Sequence, residues 1–293
     1  TFDIPLETNK VYSIQFTEQK NTKGKLLDFN TLYYTLNKLR PTKEPKAGRN
    51  VGWDLAGSSW TRNDKARPIP PVVTPLPSEK CFFAAPKEAT ILSASQWTNP
   101  NWKFNDEGVM ARAKGNNLTK KAYGDSRIHL EFRFDPSDNS DWTGQLYGNS
   151  GIFLMSGYEL QVVNSFQNPT FADGMCGAIY GQHPPRVNAS RKPGEWQSYD
   201  ILMKAPVFSE NGAVEEPMRV SIFHNGLMIH EDAWVYGEVG GPYKKHGKRP
   251  LMIQDHKGTG VSFRNLWIIA EIDYDRKLKS FKNLFGPASS NSL

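Results

Sequence analysis

Residues 218–235 read MRVSIFHNGLMIHEDAWV and indicate a β-hairpin. Asn225-Gly226 stands between two stretches rich in apolar residues, 218–224 and 227–235. Asn-Gly is the preferred two-residue hairpin turn because both of its residues must adopt a positive φ angle. The sequence therefore predicts two antiparallel strands joined at Asn225-Gly226.

Further strand-like stretches flank this hairpin on both sides. Residues 128–134, IHLEFRF, alternate apolar and polar side chains with the period of a β-strand. We predict the other strands at 11–16, 102–104, 109–113, 151–155, 158–163, 197–205, 251–255 and 262–269, and a short helix or strand at 28–39. No stretch after residue 67 has a long helical period. The pattern predicts an all-β, mostly antiparallel sandwich.

A proline-rich stretch divides the chain. Residues 67–77, RPIPPVVTPLP, contain five prolines, which remove backbone donors and favour an extended conformation. The stretch fits either a linker between domains or a rigid crossing on the surface of one domain. We expect an irregular N-terminal extension at 1–66 that packs on or near the sandwich, the sandwich at 67–270, and a polar tail at 271–293.

Composition excludes several classes of function. The chain has 293 residues, 38% of them hydrophobic, which supplies a substantial core. Its net charge is +6, but Lys and Arg are scattered rather than gathered into a stripe, so we expect no nucleic-acid partner. No apolar run is long enough to span a membrane. A protein whose export signal had been removed would also lack such a run. The lack of a long apolar run therefore does not place the protein in the cytoplasm.

The two cysteines, Cys81 and Cys176, lie far apart and share no short spacing with other ligand types. This arrangement does not support a zinc site or a redox motif. Whether the two residues form a disulfide bond stays open.

The predicted strand 158–163, YELQVV, carries the first candidate site residues. Alternation places Glu159 and Gln161 on one face, about 7 Å apart along the strand, and apolar residues on the other. The polar face is either a hydrated outer surface or the wall of a ligand site. The long loop that follows favours a site, because loops of this length are usually functional or disordered.

That loop, at 164–192, supplies further candidates. Tyr180 lies in the apolar setting GAIYG, which argues against disorder. His183 could be a general base, a metal ligand or a hydrogen-bonding loop residue. Arg191 could orient an anion or a sugar hydroxyl, or pair with Glu195.

A second group follows the predicted strand 251–255. Gln254 and His256 lie on one side of the chain and Asp255 on the other, so the first two could converge with Glu159 and His183. A turn in which Asp255 caps the chain is the alternative. Aromatic faces stack on pyranose rings in sugar-binding sandwiches, and Trp142 and Trp196, with Tyr180, are the candidates closest to the proposed site.

Several motifs, taken in order, resemble a known family. They are NSGIFL, YELQVV, FADG, GAIYGQHPPRVNASRKPGEWQSYDI, HNG, QDH and VSFRNLWI. Together they are similar to the 3-keto-disaccharide hydrolase family over about residues 67–270. The resemblance implies a concanavalin A-like jelly-roll sandwich, related in shape to laminarinase-like glycoside hydrolases, with a carbohydrate substrate. It also implies an exported bacterial protein, in the periplasm, at the cell surface or outside the cell.

One departure from the laminarinase-like pattern bears on mechanism. Those enzymes place two carboxylates at alternate positions of one strand, whereas here the face reads Glu159, Gln161 and Val163. A 3-keto sugar can be cleaved with one base, because the ketone acidifies the hydrogen on C2 and the C1 group leaves by elimination before water adds.

We therefore expect an enzyme that cleaves 3-keto-glycosides or disaccharides by elimination and hydration. Glu159, His183 or His256 would supply the base or hold a divalent cation, and no cofactor is required. Gln161, Gln254, Arg191 and Tyr180 would orient hydroxyls, with Trp142 and Trp196 as stacking surfaces. The alternatives are a non-catalytic carbohydrate-binding sandwich and an ordinary glycoside hydrolase.

Overall fold

A computed structural model gives the fold. It describes residues 11–15, 31–35, 62–111, 114–137, 143–256 and 260–286. In chain order the elements are β1 (Val11–Gln15), β2 (Thr31–Thr35), β3 (Thr90–Ile91), β4 (Lys103–Phe104), β5 (Met110–Ala111), β6 (Asn117–Tyr123), β7 (Ser126–Phe134), β8 (Asn149–Leu154), β9 (Tyr158–Val163), β10 (Gln197–Lys204), β11 (Val207–Phe208), β12 (Val214–Glu216), β13 (Arg219–His224), β14 (Leu227–Trp234), β15 (Arg249–Ile253), β16 (Val261–Ala270) and α1 (Tyr274–Lys282).

The chain divides into two compact units, Thr1–Lys46 and Ala47–Leu293. In the first, β1 and β2 pair antiparallel, with Tyr12 opposite Tyr34. The predicted strand at 11–16 is thus confirmed, and the ambiguous stretch 28–39 contains a strand. The second unit holds the sandwich.

Two antiparallel sheets form the sandwich. The larger has the order β14-β13-β10-β7-β16-β5-β4, with β3 also paired to β16, and the smaller has the order β6-β15-β8-β9. Phe132 and Ile201 from the larger sheet share one core cluster with Leu160 and Ile253 from the smaller. The predicted concanavalin A-like antiparallel sandwich is confirmed.

The hairpin at Asn225-Gly226 has the predicted turn. The φ angles of the two residues are 50° and 81°, and β13 pairs antiparallel with β14 on either side of them. Glycine at 226 also permits close packing, because a Cβ atom there would lie 2.5 Å from Cδ1 of Leu76.

Leu76 belongs to the proline-rich stretch, which crosses the surface of the sandwich. The Val73 N–H donates to the carbonyl of Asn188 at 3.0 Å, and the Leu76 N–H donates to the carbonyl of Asn225 at 3.1 Å. The second half of the stretch is therefore hydrogen-bonded to the sandwich. The stretch is a crossing within the second unit, and we call residues 67–77 the strap.

The sequence prediction missed five elements, β3, β6, β11, β12 and α1, of which β6 and α1 are the longest. β6 carries Lys120 and Lys121 and lies at an edge of its sheet, where lysine is common because it discourages further strand pairing. Helix α1 lies in the stretch predicted as a polar tail. Its Asp273 cap accepts from the Arg276 N–H at 3.0 Å, and Tyr274 and Phe281, two turns apart on one face, are buried against Phe223.

The structure also bears on the two cysteines and on the presence of a transmembrane helix. Cys81 and Cys176 are both buried free thiols. Within the described residues, the model contains no helix with the length and apolar character of a transmembrane segment.

Candidate active site

Strand β9 presents its polar face as the alternation predicts. Leu160 and Val162 enter the core between the sheets, so Glu159 and Gln161 point the other way. That face is not a hydrated surface, because Glu159 is 6% exposed and Gln161 is 2% exposed. Two polar side chains buried on an outer sheet face indicate a covered site.

The neighbouring strand leaves room for the Glu159 carboxyl group. Gly151 on β8 pairs with Gln161, and Phe153 pairs with Glu159. A Cβ atom at Gly151 would lie 2.7 Å from Oε1 of Glu159 and 2.9 Å from Cε2 of Phe153. The carboxyl group therefore lies across Gly151, where only glycine leaves space for it.

Burial changes the acidity of this group. Desolvation raises the pKa of Glu159 to about 8, although the positive charge of Arg62 lowers the pKa slightly. A carboxyl group with this pKa is mostly protonated at pH 7 and is a stronger base when ionised. Strongly shifted carboxyl groups are frequent at catalytic sites.

The loop after β9 returns along the same strand and covers the site. The Gln161 N–H donates to the Ala178 carbonyl at 2.9 Å, and the Tyr180 N–H donates to the Glu159 carbonyl at 3.0 Å. The guanidinium of Arg62 lies 4.7 Å from the centre of the Tyr180 ring. Tyr180 thus adjoins Glu159 as predicted. Arg62 was missed because it lies in the stretch predicted as an extension.

A chain of amide groups continues from Gln161. Its Nε2 donates to Oε1 of Gln145 at 3.0 Å, and Nε2 of Gln145 donates to the Gly174 carbonyl at 2.7 Å and to the Thr170 hydroxyl. Nδ2 of Asn149 donates to the carbonyl of Gln145 at 2.7 Å. Gln145 was missed because it lies in a short 3-10 helix, Gly144–Leu146, that has no distinctive sequence signal.

Gln254 and His256 follow β15, next to the strand that carries Gly151. The Gln254 N–H donates to the Gly151 carbonyl at 3.0 Å, which places Gln254 beside the site. Asp255 instead secures a turn, because its Oδ2 accepts from the Gly115 N–H at 2.8 Å. His256 is partly buried.

The remaining predicted residues have other contacts. Nε2 of His183 donates to the carbonyl of Trp234 on β14 at 2.7 Å, and Nη2 of Arg191 donates to the strap carbonyl of Leu76. The Trp196 ring has Arg133 at 4.7 Å and Arg264 at 4.1 Å from its centre. Trp142 lies outside the described residues.

The metal hypothesis receives no geometric support. In the described part of the chain, no three side chains of the types His, Cys, Asp or Glu converge as a metal-binding group. Glu159, His183 and His256 do not form such a group in that part of the chain.

A second buried polar cluster lies on the larger sheet and was not predicted. Nδ1 of His129 lies 3.0 Å from Oδ1 of Asp200, and its Nε2 lies 3.6 Å from Oε1 of Glu131. Burial lowers the pKa of His129, but hydrogen bonds to the two carboxylates raise it by a larger amount, so that the pKa is about 9. Arg264 pairs with Glu131 at 2.7 Å. Asn265 Nδ2 donates to Glu131 at 2.7 Å, so this network is closely packed and joins β7, β10 and β16.

Comparison with known proteins agrees with the fold. The protein-family model of the 3-keto-alpha-glucoside-1,2-lyase-like domain matches residues 91–269 of this chain. A candidate glycosyl hydrolase from Parabacteroides distasonis is 36% identical, with a TM-score of 0.63, over 71% of this chain and 94% of that one. A second candidate glycosyl hydrolase from the same organism is 21% identical, with a TM-score of 0.46, over 62% of this chain and 99% of that one.

No curated protein matches the chain. The family model covers more than half of the chain and includes β8, β9, the covering loop and β15. The chain belongs to the 3-keto-disaccharide hydrolase family, whose domain is described as 3-keto-alpha-glucoside-1,2-lyase-like.

Proposed function

We propose that this protein cleaves the glycosidic bond of 3-keto-glycosides, with Glu159 as the base. The observation that carries the proposal is the single buried carboxyl group. Within the paired strands β8 and β9, the face that bears it carries Asn149, Gly151, Phe153, Glu159, Gln161 and Val163. Ordinary glycoside hydrolysis uses two carboxyl groups, about 5 to 10 Å apart, and this face supplies one.

The reaction would begin at C2 of the keto sugar. The ketone at C3 acidifies the C2 hydrogen, and ionised Glu159 takes it as a proton. The electron pair of the C2–H bond delocalises onto the ketone oxygen as an enolate and then forms a C1–C2 double bond. The C1–O bond breaks, and its electrons leave with the glycosidic oxygen, which takes up a proton from Glu159 or water. Addition of water to the unsaturated ketone completes a net hydrolysis.

The surroundings of Glu159 fit this role. Burial makes the ionised carboxylate a stronger base than an exposed one, because its pKa rises to about 8. The positive charge of Arg62, held against Tyr180, is suited to stabilise negative charge that develops on the enolate. Gln161 lies two residues after Glu159 on the same face of β9, and the Gln254 N–H donates to the Gly151 carbonyl. The side-chain amides of both residues are suited to orient sugar hydroxyls.

His183 is less suited to act as the base. Nε2 of His183 donates to the Trp234 carbonyl, which fixes its tautomer.

The test compares a 3-keto-glucoside with the unoxidised glucoside, with and without a chelator. We expect turnover of the oxidised substrate alone and a loss of at least about 100-fold in Glu159→Gln. Glu195→Gln, at an exposed glutamate that follows the covering loop, is the matched control and should retain activity. Binding without product by the wild-type protein would instead support a carbohydrate-binding sandwich, and cleavage of the unoxidised glucoside would support an ordinary glycosidase.

A further inference from the structure

We propose that the cavity beside Gln145 receives the leaving group of the substrate and prefers an apolar ring there. This inference rests on the proposed function and adds the class of leaving group to it. The cavity has a volume of about 270 Å³, and its walls are formed by Asp64, Lys65, Ile69, Gly144, Gln145, Pro169, Thr170 and Phe171.

The cavity adjoins the candidate base through a short chain of contacts. Gln145 forms part of its wall and accepts a hydrogen bond from Nε2 of Gln161 at 3.0 Å. Gln161 pairs with Gly151, over which the Glu159 carboxyl group lies. A sugar held at Glu159 would therefore have the cavity next to it, where the group attached to C1 could enter.

The walls are mainly apolar and partly open to solvent. Ile69, which lines the cavity, is 58% exposed. Large apolar side chains that lie together at the surface mark ligand or partner sites more often than isolated ones do. Phe171 and Pro169 add two flat surfaces to the same cavity, and flat apolar rings pack well against such groups.

The amide group of Gln145 has little capacity left for a ligand. Both of its amide hydrogens have acceptors, the Gly174 carbonyl and the Thr170 hydroxyl. Its Oε1 already accepts from Gln161. Hydroxyl groups of a second sugar ring that lie against Gln145 and the apolar walls would find few partners, which costs roughly 1 to 3 kcal/mol for each unsatisfied group. Among the lining residues, Asp64 and Lys65 carry the charged groups. An apolar ring against the apolar walls has no such cost.

The volume sets an upper limit on the leaving group. Pockets for drug-sized ligands measure about 300–1,000 Å³, so a cavity of about 270 Å³ suits one ring with a short linker. We therefore expect a monocyclic, apolar leaving group such as benzyl alcohol or phenol.

The experiment compares the benzyl and methyl 3-keto-glucosides as substrates. Benzyl alcohol and methanol have similar acidities, so a difference in kcat/KM reports binding of the ring rather than a better leaving group. We expect the wild-type enzyme to prefer the benzyl substrate by about 10-fold or more, because burial of a ring contributes roughly 1.5 kcal/mol or more.

Two variants test whether the cavity causes this preference. Ile69→Ser and Phe171→Ala should each reduce the benzyl-to-methyl ratio of kcat/KM at least threefold. The matched control is Ile91→Ser, since Ile91 is 61% exposed on β3 of the larger sheet, and it should keep the wild-type ratio and activity.

The outcomes separate this inference from the proposed function. Turnover of both substrates with equal kcat/KM, or an equal ratio in all variants, would overturn the leaving-group site alone. A 3-keto-disaccharide that is cleaved with a higher kcat/KM than the benzyl substrate would also overturn it. No turnover of any 3-keto substrate would overturn the proposed function and this inference with it.

Discussion

The carboxyl group of Glu159 lies over Gly151 of the neighbouring strand, so close that a Cβ atom on Gly151 would stand 2.7 Å from Oε1. The missing side chain at 151 therefore sets the position of the candidate base. A methyl group there would force the carboxyl group, the Phe153 ring or the strand to move.

Gly151→Ala should consequently impair catalysis more than folding. We expect kcat to fall about 100-fold, because a base displaced by 1 Å loses its alignment with the C2 hydrogen, and the free energy of unfolding to fall by roughly 1–3 kcal/mol from overpacking. Steady-state kinetics and urea unfolding measure the two effects. Gly241→Ala is the control, because a Cβ atom there meets nothing within 4 Å. Wild-type kcat in Gly151→Ala would show that the carboxyl position does not matter.

The pH dependence of kcat/KM should report the acidity of Glu159. If the ionised carboxylate is the base, kcat/KM rises tenfold per pH unit below the pKa of about 8 and levels off above it. Arg62→Gln should move the inflection to higher pH, because the positive charge of Arg62 lowers this pKa. A fall in kcat/KM above pH 8 would contradict the assignment and identify Glu159 as an acid.

The same group should reduce stability at high pH. Burial raises the pKa of Glu159 to about 8 from its ordinary value of 4.5, so the folded state binds the proton more tightly than the unfolded state. Stability is then fully present below pH 4.5 and decreases as the pH rises through 8. The free energy of unfolding of Glu159→Gln should exceed that of the wild type by on the order of 2 kcal/mol at pH 9 and by little at pH 4.5. Urea unfolding at both pH values measures this, and an equal difference at both would refute it.

His129 should add a second pH dependence to the free energy of unfolding, and this one can be measured separately from that of Glu159. Its pKa is raised to about 9 from 6.5 by Asp200 and Glu131, which outweigh burial. This stabilisation is present below pH 6.5 and is lost as the pH rises through 9. Unfolding of Glu159→Gln between pH 6 and pH 10 isolates it, because that background lacks the other group. A flat profile there would argue against a charged His129.

Replacing Asp200 should be costly at low pH for the same reason. Asp200→Asn removes one partner of a fully buried pair and leaves charge uncompensated, so we expect a loss of about 3–5 kcal/mol at pH 6. The loss should shrink near pH 10, where His129 is neutral in the wild type. Denaturant midpoints at pH 6 and pH 10 measure the change, and an equal loss at both values would indicate packing rather than charge.

Features set by local chemistry were predictable from the sequence. The Asn225-Gly226 turn follows from the need for two positive φ angles, and the faces of β9 follow from alternation, which placed Glu159 and Gln161 together. The length and composition of its loop predicted Tyr180 near Glu159, and the Tyr180 N–H donates to the Glu159 carbonyl.

Features that depend on contacts between distant segments were not predictable. Arg62 approaches the site because the strap fixes the preceding residues, with Arg67 lying 3.6 Å from Asp173. Gln145 becomes important only through its contact with Gln161. Arg191 and Trp196 carry side chains typical of sugar sites, yet the first bonds to the strap and the second stacks between two arginines.

The strap also shows that the folded unit extends beyond the region matched by the family. The match spans 91–269, but Leu76 packs over the Gly226 turn, and the Phe83 carbonyl accepts from Asn265 at 2.8 Å and from Trp267 at 3.2 Å. A fragment trimmed to 91–269 would uncover these groups and would also lose α1. Recombinant fragments of this domain should therefore begin before Arg62 and end after Gly286.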